Sequence, residues 1–226
     1  MNKFLLFLTA LLIHADIWAM KTTVVNEKKD LDQQRMNIAQ HFANSGYWSL
    51  AFNVIYPMAL EGHPMAQANL GVMFNTGRGV RPSVEQAYWW FSSSAESGNI
   101  KALNNLALMY YKGSYIERNE PHAIKLFELT ANAKDQASML MLSEIYFLKN
   151  DYVKSLKWLK TCAELGNDEA KLRLGAFYEN GFGVPKDKQK AIKLYEEIIN
   201  AKDAAPNIKE FALKNLNRLV KPTIKN

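Results

Sequence analysis

Apolar and small residues recur along the chain with one phrase. Ala66-x3-Leu70-Gly71-x2-Phe74-x2-Gly77 returns 36 residues later as Ala102-x3-Leu106-Ala107-x2-Tyr110-x2-Gly113. It comes back as Ser138-x3-Leu142-Ser143-x2-Tyr146 and as Ala170-x3-Leu174-Gly175-x2-Tyr178-x2-Gly181. Alanine, leucine and the aromatic fall on one face of a 3.6-residue helix, with the small residue beside them. The small position (Ala39, Gly71, Ala107, Ser143, Gly175) predicts close antiparallel packing, because a larger side chain there holds the paired helix away.

Between these phrases a second helix is predicted. It starts at Ser83, Asn119, Asp151 or Asp187, each a good N-cap, four residues ahead of Ala87, Ala123, Ser155 or Ala191. Three residues further on stands Trp90, Leu126, Trp158 or Leu194, expected to fill the space between hairpins. Gly98 and Gly166 suit left-handed helix ends. Ala51-x2-Val54 with Ala59 and Gly62, preceded by Ile38, Ala39 and Phe42, fits the same template as a first hairpin over about 31–62. A last amphipathic stretch, 207–220, places Ile208, Phe211, Ala212, Leu216 and Leu219 on one side and Lys209, Lys214 and Arg218 on the other, the form of a terminal cap on a stack of repeats. Pro222 is expected to stop it.

A repeat of this length predicts an all-α solenoid of antiparallel hairpins, so function is sought on a surface rather than in a pocket. The expected divisions are a signal peptide at 1–19, a mature N-terminal segment at 20–30, five hairpins over 31–206 (31–65, 66–101, 102–137, 138–169, 170–206), a capping helix at 207–220 and a tail at 221–226. The signal peptide is read from Lys3, the apolar run Phe4 to Ile13 broken only by Thr9, and small residues before a cut after Ala19. That run is too short to cross a bilayer, which takes about 20 residues. A periplasmic or secreted location follows as an expectation.

These residues resemble the Sel-1-like repeat family, a relative of the tetratricopeptide repeat with a glycine-containing loop. Ala66 to Val80 and Ala170 to Val184 carry the resemblance most fully, and it extends over about 31–220. Tyr115 replaces the second loop glycine in hairpin three, and hairpins one and four lack that loop. The resemblance implies a right-handed superhelix whose concave face binds other proteins. Exported bacterial members are similar to adaptors, and some are immunity proteins that sequester a toxic effector. Some cysteine-rich secreted members are described as β-lactam-binding or β-lactam-cleaving, but the paired cysteines of those are missing here.

The chain carries no recognisable cluster of reactive groups. The histidines are His14, His41, His63 and His122, and no HExxH, CxxC, GxSxG or phosphate loop with its lysine is present. Gly77-x-Gly79 and Gly181-x-Gly183 sit at the negative end of a helix and read as turn glycines, not as an anion cradle. The single thiol, Cys162, forms no internal disulfide and reads as a small buried hydrophobe. Trp89, beside Trp90, is hard to place on the inner face; exposed, it would serve as a binding anchor, although a packing role is preferred. No enzyme, cofactor or metal is expected.

The candidate site is therefore a set of rows on the first helices. Position 4 holds Asn37, Asn69, Asn105, Met141 and Arg173. Position 7 holds Gln40, Val72, Leu108, Glu144 and Ala176, and position 11 holds Asn44, Thr76, Lys112, Leu148 and Asn180. An asparagine amide offers both a donor and an acceptor, which suits it to clamp the backbone of a partner segment; the same residues serve equally to hold neighbouring hairpins together. The formal charge is +6, and from Val184 onward ten basic residues face five acidic ones. An acidic protein or anionic surface would be attracted to that end, with a solvated cap as the plainer reading. The expected partner is a protein; nucleic acid and stable membrane insertion are not expected, and a monomer is favoured.

Overall fold

A computed structural model describes residues 25–220; the expected signal peptide and the tail, with Pro222, lie outside the described residues. Among the described residues the chain is helical, without strands. Helix α1 covers 25–44 of the described residues and so already includes residues before the expected start at 31. It is followed by α2 (Trp48–Leu60), α3 (Pro64–Thr76), α4 (Val84–Glu96), α5 (Ile100–Lys112), α6 (Glu120–Asn132), α7 (Gln136–Leu148), α8 (Tyr152–Glu164), α9 (Asp168–Asn180), α10 (Lys188–Asn200) and α11 (Pro206–Val220). The chain divides into two compact units at Ala102–Leu103.

The starts of α3 to α10 are held by side chains, whereas α2 begins after Tyr47 with no side-chain cap bond. Ser83, Asn119, Asp151 and Asp187 accept from the backbone N–H three residues on, at 3.2, 3.0, 3.1 and 3.0 Å, satisfying a donor the helix itself leaves open. The first helices carry the same device, which the hydrophobic pattern did not reveal. His63 Nδ1, Asn99, Asp135 and Asn167 accept from Ala66, Ala102, Ser138 and Ala170 at 3.3, 3.1, 2.8 and 2.8 Å. Before each of them the backbone turns left-handed, at Gly62, Gly98, Lys134 and Gly166, where φ is 85°, 75°, 67° and 86°.

Within a hairpin the small position is decisive. A Cβ on Gly71 would lie 2.6 Å from the Phe91 ring, and one on Gly175 would overlap the ring of Tyr195. Phe91, Phe127, Leu159 and Tyr195 are the residues that fill the hairpin interiors, at 1, 0, 0 and 0 % exposure. Trp90, Leu126, Trp158 and Leu194 stand one residue, or 100° of helix, earlier, and all but Trp158 are half-buried. Trp90 meets Tyr56 of α2, in the preceding hairpin, edge-on at 6.4 Å, the place between hairpins expected of it. Where the small residue is serine, its hydroxyl is satisfied: Ser143 Oγ pairs with Ser155 Oγ at 3.0 Å, and Ser155 donates to the Ser143 carbonyl at 2.7 Å.

The first unit has its core around Met36, Ala39, Ile55, Met58, Leu70 and Met73. The second has one core centred on Phe127, Leu142, Ile145 and Leu159 and a further cluster that joins α10 to α11 through Tyr195, Ile198 and Ala212. Helix α11 packs on α10 and α9 through Ile208, Ala212, Leu216 and Leu219. Phe211 does not share that face and is 54 % exposed. Arg218, expected on the solvated side, is bound to Glu179 of α9 at 2.8 Å.

Replacing Gly175 by alanine should lower stability by about 1–3 kcal/mol, the range for overpacking, because the obstacle is a ring with nowhere to swing. Adding Tyr195→Leu should recover part of the loss, as the leucine at the same place in hairpin four predicts. Urea denaturation of the single and double variants checks this, and an additive double variant would refute it. Gln67 offers the opposite case. It is 6 % exposed, donates to the Ala59 carbonyl at 3.2 Å, and leaves its own Oε1 without a hydrogen bond among the described residues. Met139 fills the equivalent place in hairpin four. Gln67→Met should therefore raise stability by about 1 kcal/mol, seen as a higher urea midpoint at unchanged slope.

Candidate protein-binding face

The three rows lie at the surface. Gln40, Asn44, Thr76, Lys112, Glu144, Leu148 and Asn180 are exposed, and Asn69, Val72, Asn105, Leu108, Met141, Arg173 and Ala176 half-exposed. Asn37 is exposed as well. Such a distribution is what helices packed by their other faces leave free.

In the first unit a hollow of about 160 Å³ opens between α1, α2 and α3. Gln40, Asn69 and Val72 line it, together with Trp48 and Arg78, whose guanidinium lies 4.8 Å over the indole. Local hydrogen bonds occupy part of the amide row: Gln33 donates to Asn37 Oδ1 at 2.9 Å and Gln40 to Asn44 Oδ1 at 2.7 Å. The Asn69 amide makes no hydrogen bond among the described residues, so its donor and acceptor remain for a ligand.

A second hollow, about 440 Å³, lies in the other unit between α7 and α9. Its apolar wall is Phe147, Leu148, Ala176, Phe177 and Phe182, and Ser143, Glu144 and Arg173 complete it. The three phenylalanine rings hold one another, with centroids 5.3–5.7 Å apart, and Tyr152 closes on Phe182 at 5.0 Å. Arg173 is not a free cation. It donates to Glu144 at 3.2 Å across the two hairpins and to Glu169 at 2.6 Å on its own helix. Burial lowers its pKa, and the two carboxylates outweigh that and raise it, so the guanidinium stays charged.

Of the sequence-predicted residues, this unit brings Glu144, Leu148, Arg173 and Ala176 into one hollow. Asn105, Leu108, Lys112 and Met141 do not line it. Thr76 and Asn180 bond back to the carbonyls of Val72 and Ala176, at 2.8 Å each. Phe147, Phe177 and Phe182 were absent from the predicted rows. Phe147 precedes the position 11 residue and Phe182 sits inside the loop motif, where only its aromatic character could have drawn notice.

Trp89 is 59 % exposed, consistent with its poor fit to the inner face and not with the packing role preferred for it. Cys162 is fully buried; burial, with Glu169 nearby, pushes its thiol up to about 11, so it is a packed group rather than a nucleophile. Among the described residues there is no group of His, Cys, Asp and Glu that could hold a metal ion, and no helix is long and apolar enough to cross a membrane.

The Sel1 repeat profile matches four successive stretches, 64–99, 100–135, 137–167 and 168–203, together more than half the chain. The chain belongs to the Sel1 repeat family. Sel1 repeats mediate protein–protein interaction and are in general non-catalytic scaffolds. A Sel1 repeat protein from Oxalobacter formigenes has a similar structure, with TM-score 0.67 and 25 % identity over 81 % of this chain and 74 % of that one. An immunity protein from Pseudomonas aeruginosa shares the fold at TM-score 0.51 and 15 % identity, over 80 % of this chain and 81 % of that one. In sequence, chitin synthase regulatory factor 3 of Schizosaccharomyces pombe is 27 % identical over 58 % of this chain. That match covers only 15 % of the fission-yeast protein, so the two share a repeat module.

Proposed function

We propose that the protein is an exported, non-enzymatic Sel1 repeat scaffold that holds a partner protein along the face made by its first helices, the concave side that the family resemblance implies. The observation that carries this reading is the hollow in each unit lined by residues of the predicted rows: Gln40, Asn69 and Val72 in one, Glu144, Leu148, Arg173 and Ala176 in the other. Helix starts fixed by side-chain caps and helix centres fixed by small-on-aromatic contacts make the face stiff, so association loses little to ordering of the scaffold. The immunity reading is a special case in which the partner is a toxic enzyme; the Pseudomonas protein supports it through fold alone.

The test has two parts. Export predicts a mature chain beginning at Met20, read from the intact mass of the protein recovered outside the cytoplasm; a retained leader would end that half. For binding, the chain from Met20 is used to capture partners from envelope extract. Val72→Arg, placed in the first hollow, should cut recovery of an identified partner at least ten-fold, while Lys125→Ala on an exposed second-helix site leaves it unchanged. Recovery that responds to Lys125 and not to Val72 would place the interaction on the other side of the hairpins.

A further inference from the structure

The hollow between α7 and α9 combines a rigid apolar wall with an unequal charge count. Three rings already in mutual contact need no rearrangement to receive an occupant. Leu148, at the rim, is 64 % exposed, a large apolar side chain that has no packing role in the free protein. Arg173 is the lone cation among the lining residues, and Glu144 and Glu169 share it. Two carboxylates against one guanidinium leave a surplus negative charge, with the Glu144 side chain 51 % exposed and that of Glu169 43 %. Glu169 stands outside the lining and belongs to the cluster through its 2.6 Å bond to Arg173.

We propose that this hollow is the anchor site for the partner, taking a large apolar side chain, aromatic above all, from a segment that carries a lysine or arginine one or two residues away. The inference rests on the reading of the first-helix face as the partner surface. An aromatic side chain entering the hollow covers Leu148 and stacks on Phe147 and Phe182, the arrangement by which interface anchors work. A cation beside it pairs with the surplus carboxylate without breaking either Arg173 bond. An acidic residue there would have to compete with Glu144 and Glu169 for the same guanidinium, and would lie against them.

The probes are three ten-residue peptides, identical except for a central Phe-Arg, Phe-Glu or Ser-Arg pair, titrated into the chain beginning at Met20, which keeps every described residue. Amide chemical shifts in NMR spectra are followed. The Phe-Arg peptide should shift Leu148, Ala176 and Phe182, and should bind at least five-fold more tightly than Phe-Glu and ten-fold more tightly than Ser-Arg. Ala176→Trp, which fills the hollow, should weaken it at least ten-fold. Leu148→Ser, at a site too exposed to disturb folding, should weaken it several-fold, and Glu144→Gln should narrow the preference for Phe-Arg over Phe-Glu. Equal or tighter binding of Phe-Glu, shifts centred on α11 or on the other hollow, or no shift with any peptide would overturn the anchor. A partner captured equally well by the Ala176→Trp chain would discard the anchor and keep the scaffold, whereas indifference to Val72→Arg bears on the scaffold reading alone.

Discussion

Everything on the outer faces of this protein depends on how closely two helices approach inside a hairpin. The approach is set where a first helix lacks a side chain and a second helix lays a ring into the gap, Phe91 on Gly71 and Tyr195 on Gly175. Once the ring is seated, rotation of both helices about their axes is fixed, and with it the identity of the residues left outside. The buried hydroxyls are paired: Ser94 donates to the Pro64 carbonyl at 2.6 Å, and Thr130 and Ser138 share a 2.6 Å bond. An interior so small-grained tolerates hydroxyls because they are short and find carbonyls nearby, while a long amide such as Gln67 leaves one end unsatisfied.

The hairpins could be read from the 36-residue phrase because small, leucine and aromatic positions recur in phase, and four second-helix caps stood where serine, asparagine or aspartate precede the apolar pattern. Which of two adjacent large residues turns inward could not. Trp90 and Phe91 are both aromatic, and a helical pattern tolerates a shift of one residue; the ring contact with Gly71, not hydrophobicity, decides between them. The same ambiguity misplaced Phe211, whose neighbour Ala212 is the residue that α10 and α9 can accommodate. The caps of the first helices had a signal, a glycine followed by histidine or asparagine at 62–63, 98–99 and 166–167, that reads as loop until the left-handed turn before it is seen.

On the proposed binding face, exposure followed from periodicity, since positions 4, 7 and 11 lie opposite the packed stripe. Pairing did not. Glu169 and Arg173 are four apart on one helix and could be foreseen, but Glu144 reaches Arg173 from 29 residues away, through the stacking of two hairpins. Without that contact Arg173 looks like a free cation offered to a partner. With it, the hollow carries the opposite sign.

That reversal bears on what the overall charge means. The chain has a formal +6, and the excess lies from Val184 onward; no residue of α10 or α11 lines the hollow. Fields felt at a distance sum over all these lysines and favour approach by acidic surfaces, whereas contact selection in the hollow answers first to Glu144, Arg173 and the Glu169 bound to that arginine. The two effects act at different ranges, and salt weakens the first more than the second. A partner that satisfied both would carry its acidic groups outside a contact segment that is itself aromatic and basic, so net charge alone is a poor guide to what this scaffold holds.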